Sequence, residues 1–203
     1  YVLSRVHDVV LFERNNYIGG HTNTRTVFEQ EHEPVQVDTG FIVCNARNYP
    51  NFYRFLDQLG IDRQDSEMSF GFYCEETGMQ YLGPSIVEFL RAPANLCNMK
   101  FCKMLLEQRR FNKRALKDLQ ADKLGEIPLR EYLARIGASE FFFDYYLAPL
   151  ISSIWSAPDS KALEFPVKTF LTFFNNHGML ELRKRPQWQT VVGGSKRYVE
   201  EFL

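Results

Sequence analysis

Apolar residues recur along the chain with two different periods, which divide it into stretches of different character. Val9-Val10-Leu11-Phe12 is a short run of β-branched and apolar residues that ends in Glu13 and is followed by Asn15-Asn16. That pattern predicts a buried strand entering a turn, with Tyr1 to Arg5 finishing a helix before it. Thr26-Val27-Phe28 and Val35-Gln36-Val37 alternate well enough to predict short strands around a turn near Glu33-Pro34. Phe52, Phe55, Leu56 and Leu59 fall at helical spacing between Tyr49 and Leu59, and Gly60 supplies the stop. Met68 to Cys74 and Met79 to Leu82 flank Glu75-Glu76-Thr77-Gly78, a composition that suits a hairpin turn.

From Pro84 onward the helical period dominates. Helices are expected over 84–91, 96–119, 129–136, 140–154 and 165–177, broken by Pro93, Gly125, Pro128, Gly137 and Pro158. Trp188 to Val192 then reads as a strand leading through Gly193-Gly194-Ser195 into a helix that starts near Lys196. The expected organisation is a discontinuous α/β domain over 1–67 and 186–203, with a hairpin and helical domain over 68–185 inserted between them.

Composition agrees with a folded domain: 203 residues, 45% hydrophobic and 15% aromatic, supply a sizeable core. Twenty-four basic residues stand against 25 acidic ones, for a net charge of -1. The chain as a whole therefore offers neither a polyanion nor an anionic membrane a general attraction, and nucleic acid is not an expected partner. Arg109-Arg110-Phe111-Asn112-Lys113-Arg114 reads as a solvated helix face. The most apolar stretch, Phe141 to Trp155, is interrupted by Asp144 and Pro149 and is shorter than the roughly 20 residues that span a bilayer, so a buried helix and no transmembrane segment are expected. Cys44, Cys74, Cys97 and Cys102 show no C-x-x-C pairing, which suits reduced thiols in a cytoplasmic setting. His7, His32 and His177 lack neighbours at ligand spacing, so no metal is expected. The amino terminus has no signal-peptide pattern and no initiator methionine, which reads as a piece of a longer protein.

Two features carry chemistry. A strand ending in a carboxylate, as at Glu13, matches the second strand of a dinucleotide-binding unit, where that group accepts hydrogen bonds from ribose hydroxyls; a plain surface glutamate is the alternative. Gly19-Gly20 permits positive φ and close backbone approach to a bulky or anionic ligand, or makes an ordinary turn.

The stretch Leu11-Phe12-Glu13-Arg14-Asn15-Asn16-Tyr17-Ile18-Gly19-Gly20-His21-Thr22-Asn23-Thr24, followed by Val37-Asp38-Thr39-Gly40-Phe41, resembles the flavin-containing amine oxidase superfamily, in particular bacterial relatives with Gly-Gly-His-Thr-Asn-Thr. The resemblance spans essentially the whole chain. It implies a partial FAD-binding Rossmann-like domain with a largely helical substrate-domain insert, in a cytoplasmic FAD-dependent oxidoreductase of amine-oxidase or desaturase type acting on a small or lipid-like substrate. It places Glu13 on the adenosine ribose, Gly19, Gly20, His21 and Thr22 against pyrophosphate and flavin, and Asp38, Thr39 and Gly40 near the flavin. For His21, backbone positioning is favoured over proton transfer. The glycine-rich loop that such proteins carry about 20 residues before the glutamate would fall upstream of Tyr1, and the segment that closes over the flavin is also missing. The chain alone is thus expected to bind FAD poorly or not at all.

The aromatic set Phe141-Phe142-Phe143, Tyr145-Tyr146, Trp155, Phe170, Phe173 and Phe174 serves either as core or as the wall of an apolar substrate pocket. Because flavin chemistry demands no particular acid or base, no catalytic residue is named. Two other readings stand beside oxidation: a flavin-dependent sugar-nucleotide mutase with no net redox change, and a truncated, non-catalytic homologue or interaction module. The oligomeric state has no signature in the sequence.

Overall fold

The computed structural model describes residues 1–28, 33–83, 97–155, 159–181 and 186–203. The helix expected over 84–91, His32, and the breaks at Pro93 and Pro158 lie outside the described residues. The fold is of the α/β class, and the chain divides into two compact units, Tyr1–Met68 with Pro186–Leu203, and Ser69–Arg185.

In the first unit, β1 (Thr24–Val27) and β2 (Val35–Asp38) form an antiparallel hairpin in the register Thr24↔Asp38 to Val27↔Val35. Helix α1 (Pro50–Gln58) opens on a proline, whose missing N–H is no loss in a first turn. It ends where Gly60 takes φ +66°, which lets Ile61 N–H return to Leu56 O at 2.9 Å. Strand β3 (Arg63–Ser66) pairs antiparallel with β6 (Trp188–Val191), from Arg63↔Val191 to Ser66↔Trp188, and so joins the two ends of the discontinuous unit. Leu56, Ile61, Val191 and Tyr198 are its buried cluster, with Phe52 and Phe55 packed against them. Ring edges complete this small core: Phe52 meets Phe41 at 5.2 Å and Tyr198 at 5.3 Å between centroids.

One expectation is overturned here. Val9-Val10-Leu11-Phe12 forms neither a strand nor part of the core; these residues are 50%, 75%, 62% and 91% exposed. An apolar strand of this kind is stable when neighbouring strands take its backbone groups and both its faces are covered. Among the described residues no strand pairs with it. The helix expected to end at Arg5 is reduced to a single 3-10 turn, Leu3–Arg5.

The second unit begins with the hairpin β4 (Phe70–Tyr73) and β5 (Gln80–Gly83), turned through Gly78 at φ +65°. Helix α2 (Met99–Gln120) is capped by Asn98, whose Oδ1 accepts from Lys100 N and Phe101 N. Helix α3 (Leu129–Ile136) ends on Gly137 in the left-handed region, at φ 67°. Ser139 caps α4 (Glu140–Phe142), which passes through a π-helical segment, Phe143–Leu147, into α5 (Ala148–Trp155). The wider turn carries ring pairs one turn apart, Phe141 on Tyr145 at 4.3 Å and Phe142 on Tyr146 at 5.3 Å. A short α6 (Asp159–Ala162) precedes α7 (Val167–Asn176). Phe101, Phe142, Leu147, Ile151, Phe170 and Phe174 are among the fully buried side chains that hold these helices together. Helix α8 (Lys196–Phe202) belongs to the first unit.

Candidate functional site

The β1–β2 hairpin brings the two motif segments side by side. Its ladder continues past the strands: Thr39 N–H donates to Asn23 O at 3.0 Å, and Phe41 N–H to His21 O at 2.9 Å. His21, Thr22, Asp38, Thr39 and Gly40 are therefore neighbours although 16 to 19 residues separate them in sequence. Gly40 has to be glycine, since a Cβ there would lie 2.0 Å from His21 O. It is the His21 carbonyl that meets this second segment.

Gly19 and Gly20 turn the chain into this ladder with φ of 123° and 57°. Thr22 N–H closes the turn on Gly19 O at 2.9 Å. A Cβ on Gly19 would approach Thr22 O at 2.9 Å, whereas beside Gly20 no heavy atom falls within 4 Å. The turn thus has one packed glycine and one facing open space.

A third segment, not among the predicted site residues, completes the arrangement. Gly193 and Gly194, at φ 79° and 90°, lead into Ser195 and α8. A side chain on Gly194 would strike Thr24, its Cβ only 2.4 Å from the threonine methyl. The Asp38 carboxylate accepts from Ser195 N–H with both oxygens, at 2.9 and 3.0 Å, and from the Ser195 hydroxyl at 2.8 Å. Thr24 Oγ1 donates to Asp38 at 2.5 Å and accepts from Lys196 N–H at 2.9 Å. Asp38 is therefore occupied in clamping the hairpin to the return segment, and its contribution to a ligand would be positional. The doublet Gly193-Gly194 before a serine was visible in the sequence; its partner was not.

Tyr198, one turn into α8, shares a 2.6 Å hydrogen bond with Thr22 Oγ1. Burial raises the Tyr198 phenol above its ordinary value, with the Thr22 hydrogen bond acting in the opposite sense and the Asp38 charge adding to the rise. No sequence pattern singled this tyrosine out.

Glu13 stands apart in the exposed amino-terminal segment, where its Oε1 accepts from Asn15 N–H at 2.8 Å. Further along, Cys44 pairs with Gln189 through both backbone groups, at 2.8 and 2.9 Å. The adjacent Asn45 is fully buried; its Oδ1 accepts from Asn48 N–H, while its Nδ2 has no hydrogen-bond partner. An amide donor held without an acceptor is unusual inside a protein and is a group that a ligand oxygen could satisfy. Near it Tyr53 donates to Gln189 Oε1 at 2.9 Å, and burial together with Cys44 pushes its phenol up to about 12. A cleft of about 370 Å³ by Arg63 and Asp62 includes none of the predicted site residues.

Among the described residues no group of three or more His, Cys, Asp and Glu side chains could hold a metal ion, and no helix is long and apolar enough to cross a membrane.

The paired-glycine turn and the carboxylate-clamped return loop thus lie in one compact unit of the α/β fold. Residues 1–59 match the family model of the NAD(P)-binding Rossmann-like domain, a stretch that contains Glu13, both glycines, His21, Thr22 and Asp38-Thr39-Gly40. No curated protein matches the chain.

Proposed function

We propose that the chain is the cofactor-binding and substrate-binding part of an FAD-dependent oxidoreductase that oxidises a small or lipid-like substrate. The observation that carries this reading is the meeting of three glycine-bearing segments: Gly40 and Gly194 lie tight against His21 O and Thr24 and so draw the segments together, which leaves Gly20, at φ 57°, facing open space. An open glycine in a positive-φ turn lets an anionic ligand approach the backbone closely. The match of residues 1–59 to a dinucleotide-binding family supports a cofactor of this type.

The residues present fit such a group. Glu13 would take the adenosine ribose hydroxyls with its exposed carboxylate, and the turn formed by Gly19, Gly20, His21 and Thr22, closed by Thr22 N–H on Gly19 O, would lie against the diphosphate. Thr39 and Gly40 would face the ring system, held in place by the Asp38 clamp. The unpaired Asn45 Nδ2 offers one more donor on the same unit. When bound, flavin supplies the chemistry by accepting two electrons from the substrate. The chain's own part is to bind, orient and exclude water.

The test is the visible absorption spectrum of the full-length gene product, purified and then incubated with FAD. Flavin bands that survive gel filtration are the expected result, with Glu13→Ala weakening FAD affinity on the order of tenfold or more through loss of charge-assisted hydrogen bonds. Retention of NAD(P) in place of FAD would replace the flavin reading, and failure to bind either would end it.

A further inference from the structure

Helix α2 packs Phe101, Met104, Phe111 and Ala115 into the core, and its opposite face is cationic. Met99, Lys103, Leu106, Arg110, Lys113 and Lys117 follow one another in steps of four, three, four, three and four residues, so their side chains form one stripe along the helix. All six are exposed, and at 1.5 Å per residue the stripe is about 27 Å long. The two carboxylates of α2 lie beside it rather than in it. Glu107 is taken up by Ser139, accepting from its hydroxyl at 2.7 Å, and the buried Asp118 is held by Arg114 and Tyr132. A chain with a net charge of -1 has thus gathered cations on one surface, and the whole-chain charge hides it.

The apolar members of the stripe point to what it meets. Met99 is 71% and Leu106 54% exposed. Beside Leu106 a cleft of about 680 Å³ has Lys103, Leu106, Glu107 and Arg110 on one wall and Ile136, Ala138 and Phe142 on the other. Cations alternating with protruding apolar side chains, above an apolar floor, match a surface whose phosphates lie directly over hydrocarbon. A nucleic acid would satisfy the cations only, leaving the methionine and leucine against a hydrated backbone.

We propose that this face of α2 docks on an anionic phospholipid bilayer, with Lys103, Arg110, Lys113 and Lys117 on headgroup phosphates and Met99 and Leu106 at the boundary with the acyl chains. The docking goes beyond the flavin reading and does not depend on it, and it would place a lipid-like substrate within reach of the helical unit.

Vesicle flotation of the full chain tests this with phosphatidylcholine alone and with added phosphatidylglycerol. Binding is expected only with the anionic lipid and is weakened by salt. The double variant Arg110→Gln and Lys113→Gln should lose about 25-fold in vesicle affinity, at about fivefold for each cation removed. Leu106→Ser should weaken binding without changing its salt dependence, and circular dichroism should show both variants as helical as the parent. Equal binding to neutral and anionic vesicles, unchanged binding by the double variant, or displacement from vesicles by duplex DNA at equal phosphate would overturn the proposal. No flavin enters the readout, so its failure is separate from that of the cofactor reading.

Discussion

Phe170 and Phe12 are the same side chain in opposite situations. Phe170 lies fully buried in the helical unit, its ring tilted against Phe174 at 4.2 Å between centroids, whereas Phe12 in the first unit is 91% exposed. The contrast extends to the units themselves. The helical unit is held by a broad apolar cluster drawn from every one of its longer helices, while the first unit has Leu56, Ile61, Val191 and Tyr198 and relies on polar ties. A unit held by directional bonds depends on a few donors and acceptors being in place; a unit held by packing has its interior already filled. The aromatic set of the helical unit accordingly serves mainly as core, since Phe142, Phe170 and Phe174 are buried among their neighbours.

Phe170→Ala should show the largest effect, about 3–5 kcal/mol lost from the helical unit, measured by denaturant unfolding of the far-ultraviolet helix signal. Asp38→Ala comes next. It leaves the Ser195 N–H and hydroxyl without their acceptor and should destabilise the first unit by about 1–3 kcal/mol, with amide exchange rising around residues 193–196 and the helical unit unaffected.

Of the elements just compared, α1 and α3 were legible because their apolar residues recur on one face and a glycine ends each. The β1–β2 and β4–β5 hairpins were legible from alternation and turn composition. Strand β3 was not, because Arg63-Gln64-Asp65-Ser66 contains no apolar position; it is a strand only because β6 lies more than a hundred residues away to receive it. Val9-Val10-Leu11-Phe12 failed in the opposite sense, having strand propensity without a partner. At the site the glycines could be found from their type, since the backbone there demands them, but the bond from Asp38 to Ser195 is a product of topology and leaves no local pattern.

Alkaline titration should narrow the contrast. The Tyr53 phenol is raised from 10.0 to about 12, so the stability gained by keeping it neutral is complete below pH 10 and is lost as pH climbs toward 12. Burial also raises the Tyr81 and Tyr132 phenols of the helical unit, so both units should loosen as pH climbs above 10, followed by tyrosinate absorbance alongside unfolding. Phe12→Ala should be the smallest perturbation of all, within about 0.5 kcal/mol, because nothing is uncovered that was not already in water. A loss comparable to that of Phe170→Ala would mean that the exposed run is packed in solution.

The Asp38 clamp also sets an order of events during synthesis. Its carboxylate waits for a serine 157 residues further on, which at ribosomal speeds of about 5–20 residues per second is a delay on the order of ten seconds or more. Over that interval the hairpin has no return segment to hold, while the helical unit is emerging complete. The part of the chain made first is therefore the part finished last.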